Sequence, residues 1–465
     1  ERVIEQKKAP LRVIMGNPPY SIGQKSANDN AQNQSYARLD AKIASTYAAA
    51  STAGLNKSLY DPYVKAFRWS TDRLDPGNGG VIAFVSNGAW IDNNSTDGFR
   101  KCLEREFSSI YVFNLRGNCR TSGELRRNEG GNVFGLGSRT PIAITLLVKK
   151  PKTNDTPATI YYHDIGDYLS KEEKLAIINK FGSVEHIEWQ QLNPNEHGDW
   201  INHRNDAFES FIPLAPEKKF DAKTKSVFVA SSLGTVTSRD SWVYNFSVSR
   251  LQKNVNLTIQ YYNEQKILIQ KGKIKEPLID STKGTWSRDW LNQLRKNVEI
   301  KEIDKEYRTT LYRPFVIMNT YFGDDLNQER YQLTKLFPKG MQNIAIVLTG
   351  VGASKNFSVL ISNDLSNYDA IEKSNIFPLY HYEERKAESR SLFDDAEEDA
   401  TQNNYIRRDA ISDFILERCR KAYGPHVSKE DIFYYVYGIL HSTEYRTTFA
   451  ADLKKMLPRI PLVDE

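Results

Sequence analysis

One short string of the sequence combines residue types that could hold an amino group on a planar ring. The tetrapeptide Asn17-Pro18-Pro19-Tyr20 follows an apolar run at 11–15. Two consecutive prolines fix the backbone and remove two N–H donors, so the amide oxygen of Asn17 and the carbonyl of Pro18 can accept hydrogen bonds from one NH2 group. Tyr20 offers a face for stacking. The string predicts a site for a nucleobase held outside its duplex, whose amine attacks a methyl group.

The elements around this string place it at the edge of a sheet. The apolar run at 11–15 predicts a short strand that ends at Gly16, and ligands of open α/β sheets bind where strands end. Helical spacing at 58–74 and 99–107 alternates with strand-like runs, which lie at 80–86, 109–115 and 142–148. This alternation predicts an α/β fold. A plain turn also uses Asn and Pro, but it does not require the preceding strand or the following aromatic residue.

Basic residues are concentrated near the end of this α/β region. The net charge is +5, yet residues 1–150 carry 21 Lys and Arg against 13 Asp and Glu, and the remaining residues carry 42 against 45. Within 116–139, five arginines meet two glutamates, and the glycines among them indicate a loop. Such a loop could contact phosphates, or it could be an ordinary solvated surface. The arginines are Arg116, Arg120, Arg126, Arg127 and Arg139.

The chain changes character after about residue 190. Residues 191–206 contain Pro, Asn and Gly without an apolar period, and they are predicted to be a linker. From 207 onward, short aromatic-rich runs separated by turn residues predict a mixed α+β domain, and the stretch 405–457 has a mainly helical pattern. Among the strand-like runs are 266–270, 311–321 and 343–349. We therefore expect domains at 1–190 and 207–465, with an acid-rich mobile loop at 383–400.

Several classes of protein are excluded or disfavoured. No run of 18 apolar residues and no signal peptide is present, so a cytoplasmic protein without a membrane partner is expected. Cys102, Cys119 and Cys419 are too scattered for a disulfide framework or a zinc site, and no metal site is expected. None of them follows Pro, which argues against a C5-cytosine methyltransferase. A phosphate-binding Gly-x4-Gly-Lys-Ser/Thr loop is also absent from the sequence.

The motifs above resemble those of the DNA amino-methyltransferases. In that family, Asn-Pro-Pro-Tyr is the fourth motif and follows the fourth strand of a Rossmann-like domain. Residues 80–87 resemble the fifth strand, and Asn132 to Ser138 resemble the loop whose aromatic residue packs on the flipped base. The resemblance thereby implies catalytic roles for Asn17, Pro18, Pro19 and Tyr20, and base stacking by Tyr20 and Phe134.

A closer resemblance, over nearly the whole chain, is to the type ISP restriction-modification enzymes. These single polypeptides join a nuclease, a helicase-like ATPase, an adenine methyltransferase and a target recognition domain. The resemblance implies N6-adenine methylation, double-stranded DNA as partner, upstream nuclease and ATPase domains, and Arg313 as a DNA contact. The supporting strings lie at 28–33, 116–118, 120–124, 312–315, 377–380 and 434–440.

The chain departs from this family at its start. Family members bind S-adenosylmethionine at a Gly-rich turn upstream of Asn-Pro-Pro-Tyr, whereas 16 residues precede Asn17 here. The string Phe134-Gly135-Leu136-Gly137 leads into a strand-like run, although a cofactor turn opens a helix. The resemblance therefore implies a partial Rossmann-like core that lacks its N-terminal half. S-adenosylmethionine would be bound mainly upstream, as would ATP and Mg²⁺, and this fragment alone would be inactive.

Other functions remain open from the sequence. The chain could be a DNA-recognition module without catalysis of its own. N4-cytosine methyltransferases use the same chemistry on a similar amine, and protein-glutamine methyltransferases also hold an amide with Asn-Pro-Pro-Tyr. The long aromatic-rich second domain and the arginine loop favour a DNA substrate over a protein one.

Overall fold

The protein divides into two compact units, Glu1–Arg204 and Asn205–Glu465. None of the described helices is both long and apolar enough to cross a membrane. The predicted string at 28–33 and most of the acid-rich segment at 383–400 lie outside the described residues. The computed structural model describes residues 2, 4–5, 11–20, 35–53, 57–75, 77–151, 156–216, 225–385 and 404–463.

The first unit is built around a six-stranded sheet of order β1-β2-β4-β3-β5-β6. β1 pairs in parallel with β2, β3 pairs in parallel with β5, and β4 runs antiparallel between β2 and β3. Four strands, β1, β2, β3 and β5, therefore share one direction. The strands are β1 (Val13–Gly16), β2 (Gly80–Asn87), β3 (Ser109–Arg116), β4 (Ile142–Lys149), β5 (Thr159–Asp164) and β6 (Gln190–Leu192).

Helices cover both faces of this sheet. One face packs against α2 and α3 through Phe67, Phe84 and Phe99, and the other packs against α5 through Phe113 and Phe181. Pro62 occupies the first turn of α2, where its missing N–H removes no helical bond. The helices are α1 (Ala37–Ile43), α2 (Pro62–Arg73), α3 (Asp97–Glu106), α4 (Gly123–Glu129) and α5 (Lys171–Phe181). The predicted strands and helices of this region are confirmed.

The second unit contains two four-stranded sheets, of order β14-β10-β11-β9 and β13-β12-β15-β8. The pairs β16–β17 and β7–β18 are separate. The strands are β7 (Ile212–Pro213), β8 (Ser232–Leu233), β9 (Tyr244–Asn245), β10 (Tyr307–Arg313), β11 (Val316–Tyr321), β12 (Ala345–Leu348), β13 (Val359–Ser362), β14 (Leu365–Ser366), β15 (Asn375–Pro378), β16 (Tyr380–Glu384), β17 (Tyr405–Asp409) and β18 (Arg459–Ile460). Together with its helices, they give this unit the expected mixed α and β character.

The helices of the second unit form its two main cores with these sheets. α8 and α9 pack on β10 and β11 through Tyr262, Trp290 and Tyr321. The C-terminal helices pack on β12 and β15 through residues such as Phe377 and Phe433. The helices are α6 (Asp206–Glu209), α7 (Asp240–Val243), α8 (Val248–Gln270), α9 (Arg288–Arg295), α10 (Leu333–Leu336), α11 (Asp413–Tyr423), α12 (Lys429–His441), α13 (Thr443–Thr448) and α14 (Ala450–Lys455).

The structure corrects one strand prediction. The run 266–270 is not a strand, because it forms the last turns of α8. The same helix buries Leu251, Val255 and Ile259 along one face, and this longer period outweighs a five-residue run.

The structure corrects the prediction that residues 191–206 form a linker, because most of this segment packs against the first unit. Trp200 is buried and packs edge-on against Trp90, with ring centroids 5.3 Å apart. The buried guanidinium of Arg100 donates a hydrogen bond of 2.6 Å to the carbonyl of Gly198. Residues up to Arg204 therefore pack with the first unit, and the division between the units falls at Arg204 and Asn205.

Candidate functional site

Side chains and loops from several strands meet at one edge of the first unit's sheet. Because β1, β2, β3 and β5 run in the same direction, their carboxyl ends lie along this edge. The edge is formed by the residues after Gly16, Asn87, Arg116 and Asp164, together with the loop that leads into β4. Open α/β sheets bind ligands at such an edge.

The tetrapeptide starts directly after β1 at this edge. Asn17 and Pro19 are exposed, and Pro18 is half-buried. Among the described residues, the side-chain amide of Asn17 has no hydrogen-bond partner, so its oxygen can accept from a ligand. The two prolines donate no backbone hydrogen bond, which leaves acceptors as the main polar groups of this turn.

The structure places Tyr20 beside the loop before β4. Tyr20 is half-buried, and its side chain lies near that of Ser138. Burial raises the pKa of Tyr20 above its ordinary value, and the nearby Ser138 side chain opposes that rise. The ring packs against a cluster that contains Phe113 and Ile142. This packing limits where the ring of Tyr20 can lie.

A buried asparagine shapes that loop. The side-chain amide of Asn132 donates to the carbonyls of Gly117 and Thr140 at 2.9 and 2.8 Å, and its oxygen accepts from the backbone N–H of Phe134 at 3.0 Å. Phe134 itself is 42% exposed. Asn132 therefore closes the loop from within while the ring of Phe134 stays accessible for stacking.

A buried lysine, which the sequence reasoning missed, ties the loop to α5. The ammonium group of Lys174 donates to the carbonyls of Leu115, Glu129 and Gly131 at 2.9, 2.7 and 2.8 Å. Burial lowers the pKa of Lys174 to about 8, although nearby Glu129 opposes the shift. The sequence signal for this buried role was the position of Lys174, four residues before Ile178. This spacing places the lysine on the same, apolar face of its helix.

Of the five arginines of the first unit that are predicted to contact DNA, three bind other groups of the protein and two have no such partner among the described residues. Arg116 donates to Asp164 at 2.7 Å and also to Asp167. Arg126 donates to the carbonyl of Gly130, and Arg127 pairs with Glu124. Two more are exposed and have no side-chain partner within the described part of the chain. These are Arg120 and Arg139.

Arg313 lies in the second unit, at the end of β10. Its guanidinium stacks on the ring of Tyr312 at 4.0 Å from the centroid and donates to the Tyr312 carbonyl at 2.6 Å. It also donates to Asn367 at 3.2 Å and lies 3.9 Å from Asp240. These contacts hold the side chain against its own sheet, and a DNA contact by Arg313 stays a prediction.

The glycine-rich stretch before β4 leads into a strand and does not open a helix. Gly135–Gly137 makes a single 3-10 turn, and the chain then enters β4 rather than a helix. A cofactor phosphate or carboxylate is typically bound where such a turn opens a helix. This stretch therefore does not fit the methionine-tail pocket of S-adenosylmethionine.

Comparisons with a family model and with solved structures together cover nearly the full chain. Residues 226–465 match the family model of the type ISP C-terminal specificity domain. A nuclease-deletion mutant of the type ISP enzyme LlaGI, solved with a DNA substrate mimic, shares 37% identity with a TM-score of 0.83; the match covers 99% of this chain and 41% of that one. A search of curated proteins found no match.

Two further solved structures are similar. The DrdV–DNA complex shares 34% identity at a TM-score of 0.84, covering 100% of this chain and 44% of that one. The ATP-dependent type ISP enzyme LlaBIII, bound to DNA, shares 34% identity at 0.84, covering 100% of this chain and 29% of that one. The chain spans less than half the length of these proteins. It belongs to the type ISP restriction-modification family.

Proposed function

We propose that this chain is the part of a restriction-modification enzyme that recognises a specific DNA sequence and methylates N6 of a flipped adenine. The observation that carries the proposal is the exposed amide of Asn17 at the carboxyl edge of the sheet, which has no hydrogen-bond partner among the described residues and lies three positions before half-buried Tyr20. Support also comes from relatives at 34–37% identity whose structures contain DNA. The first unit, Glu1–Arg204, would then contain the catalytic half of a Rossmann-like domain, and the second unit, Asn205–Glu465, would be the target recognition domain.

In the proposed mechanism, the amide oxygen of Asn17 and the carbonyl of Pro18 accept the two hydrogens of the adenine amine. This draws them out of the ring plane and localises the nitrogen lone pair. Tyr20 and Phe134 hold the ring by stacking, which fixes the direction in which N6 points. The methyl group would come from S-adenosylmethionine, which we propose is held mainly by residues upstream of this chain, and the methylated amine would then release one proton to solvent.

The free arginines fit the phosphate contacts that such a reaction needs. Arg120 and Arg139 project from the loop that also carries Phe134, and neither side chain is neutralised within the described part of the chain. Phosphate contacts fix the register of a protein on DNA without reading sequence. In this arrangement, they would place the target base at the edge where Asn17 lies.

The second candidate is a recognition module without catalysis in the isolated chain. The observation that favours it is the glycine-rich stretch at 135–137, which leads into a strand and does not form a cofactor turn. The two proposals are compatible if the cofactor site needs residues upstream of this chain. Cofactor binding by the isolated chain separates them, since a partial pocket binds S-adenosylmethionine weakly or not at all.

The test is tritium transfer from labelled S-adenosylmethionine to mixed-sequence duplex DNA, comparing this chain with the polypeptide extended upstream. We expect transfer by the extended protein alone, with the label recovered as N6-methyladenine. Label in N4-methylcytosine or in protein would support the alternative substrates. Transfer by the short chain would show that the cofactor site lies within it.

A variant pair assigns the amine-binding role. Asn17→Ala in the extended protein should abolish methylation while DNA affinity stays within about twofold. Asn193→Ala is the matched control, because Asn193 is also exposed and also precedes a proline. Loss of DNA binding together with methylation in Asn17→Ala would contradict the proposed role.

A further inference from the structure

The hairpin between β10 and β11 carries an aromatic ring in an unusual place. Phe315 lies at the turn, 88% exposed, with a positive φ of 60°. Arg313 pairs with Val316, so Pro314 and Phe315 are the two central residues of the turn. Glycine or asparagine is favoured at the second central position, because a bulky side chain there is strained. Phe315 gains little packing in return, which points to a role outside the fold.

The base of this hairpin is rigid. Arg313 stacks on Tyr312 and is held by the side chain of Asn367. Tyr312 in turn packs on Tyr244, with ring centroids 4.8 Å apart. Pro314 fixes its own φ, so few backbone conformations are open to the turn. A ring presented in this way loses little conformational entropy when it contacts a partner.

The same end of the sheet carries exposed aromatic and basic side chains, with Asp240 lying 3.9 Å from Arg313 at the base of the hairpin. β9 pairs with β11 through Asn245 and Asn319, so the residues that follow β9 run toward the hairpin turn. Phe246 is 71% exposed there, and Arg250 and Lys253 are exposed in the first turns of α8. Residues 241–263 contain no Asp or Glu. Exposed rings beside unneutralised cations are typical of nucleic-acid surfaces.

We propose that this end of the second unit is a sequence-independent DNA contact, in which Phe315 inserts its ring at a base step while Arg250 and Lys253 bind adjacent phosphates. The inference rests on the proposed DNA partner and adds the residues and the mode of contact. Apolar side chains inserted between base steps are a known way to unstack bases partly and to kink a duplex. Because every base has a face on which a ring can stack, the contact does not depend on sequence.

The test measures the affinity of the 465-residue chain for a mixed-sequence duplex by fluorescence anisotropy across a salt series. Phe315→Ala should weaken binding by about 5- to 150-fold. It should leave unchanged the salt slope, which is the change of log affinity with log salt concentration. Phe315→Trp should restore the affinity. Ile279→Ala is the matched control, since Ile279 is 87% exposed in the same unit. The double variant Arg250→Gln, Lys253→Gln should lower the salt slope by about two.

Two results would overturn the inference. If Phe315→Ala binds as tightly as Ile279→Ala, the ring does not contact DNA, and the proposed function is untouched. If Phe315→Ala lowers the salt slope as the double variant does, its effect is electrostatic and not stacking. Failure of the unaltered chain to bind DNA would instead overturn the proposed function, together with this inference.

Discussion

Arg120 and Arg139 of the first unit differ from Arg313 of the second in what they contact. In the first unit, Arg120 and Arg139 are exposed on a loop whose shape is maintained by buried Asn132 and Lys174. In the second unit, Arg313 is stacked against its own sheet. A solvent-exposed guanidinium without a partner keeps its full charge for a phosphate, whereas a paired one must first give up its contacts.

Arg239 is the extreme case in the second unit. It is fully buried, stacks on Trp290 at 4.1 Å and pairs with Asp289 at 3.1 Å. Its guanidinium also donates to the carbonyls of Thr237 and Leu326 and to Ser287. The comparison shows that an arginine of a specificity domain can be a structural residue, and the next four predictions test the contacts on which it depends.

The largest expected effect is on the stability of the second unit. Arg239→Met removes a buried cation and leaves Asp289 and two carbonyls without their partner, so its free energy of unfolding should fall by about 4 kcal/mol. Urea denaturation measures the change. Arg295→Met, at an exposed position of α9, is the control and should change stability by less than about 0.5 kcal/mol. Equal stability of the two variants would contradict the structural role.

The next effect is on the loop of the first unit. Lys174→Met removes one donor from each of three carbonyls, of which that of Glu129 keeps a bond from the backbone N–H of Gly117, and should lower the free energy of unfolding by about 3 kcal/mol. Faster trypsin cleavage after Arg120 and Arg127 would report loosening of the loop. Unchanged cleavage would show that the loop keeps its shape without the lysine.

DNA affinity should respond to the free arginines without a loss of stability. The double variant Arg120→Gln, Arg139→Gln should lower affinity roughly tenfold and reduce the salt slope by about two. Lys150→Gln is the control, because Lys150 follows β4 at the opposite edge of the sheet. An equal effect of the control would mean that the whole unit attracts DNA by charge alone.

The smallest effect is a pH dependence of stability. Between pH 8 and 10.5, native Lys174 has released its proton while unfolded lysine retains it, so the unfolded state binds more protons and stability from this group rises with pH. From pH 7.5 to 9, the unaltered protein should gain about 1 kcal/mol relative to Lys174→Met. Parallel stability curves for the two proteins would contradict the lowered pKa.

Much of the first unit was predictable from local pattern. Apolar runs at 80–86, 109–115 and 142–148 became β2, β3 and β4, because buried strands need continuous apolar residues. Prediction failed at 266–270, where five residues cannot distinguish a strand from the end of a long helix. The 191–206 segment shows the same limit, since Trp200 makes its contacts with residues about a hundred positions away.

The sequence by itself determined the order of strands and helices, the Asn-Pro-Pro-Tyr string at the end of the first strand and the concentration of arginines in one loop. All of these depend on residue type and short spacing. Only the tertiary structure decided that Tyr20 packs against Phe113 and Ile142, that the ammonium group of Lys174 bonds to three carbonyls, and which of the described arginines lack a side-chain partner. The reason is that these contacts join residues far apart in the chain, and a partner brought close by packing leaves no local pattern.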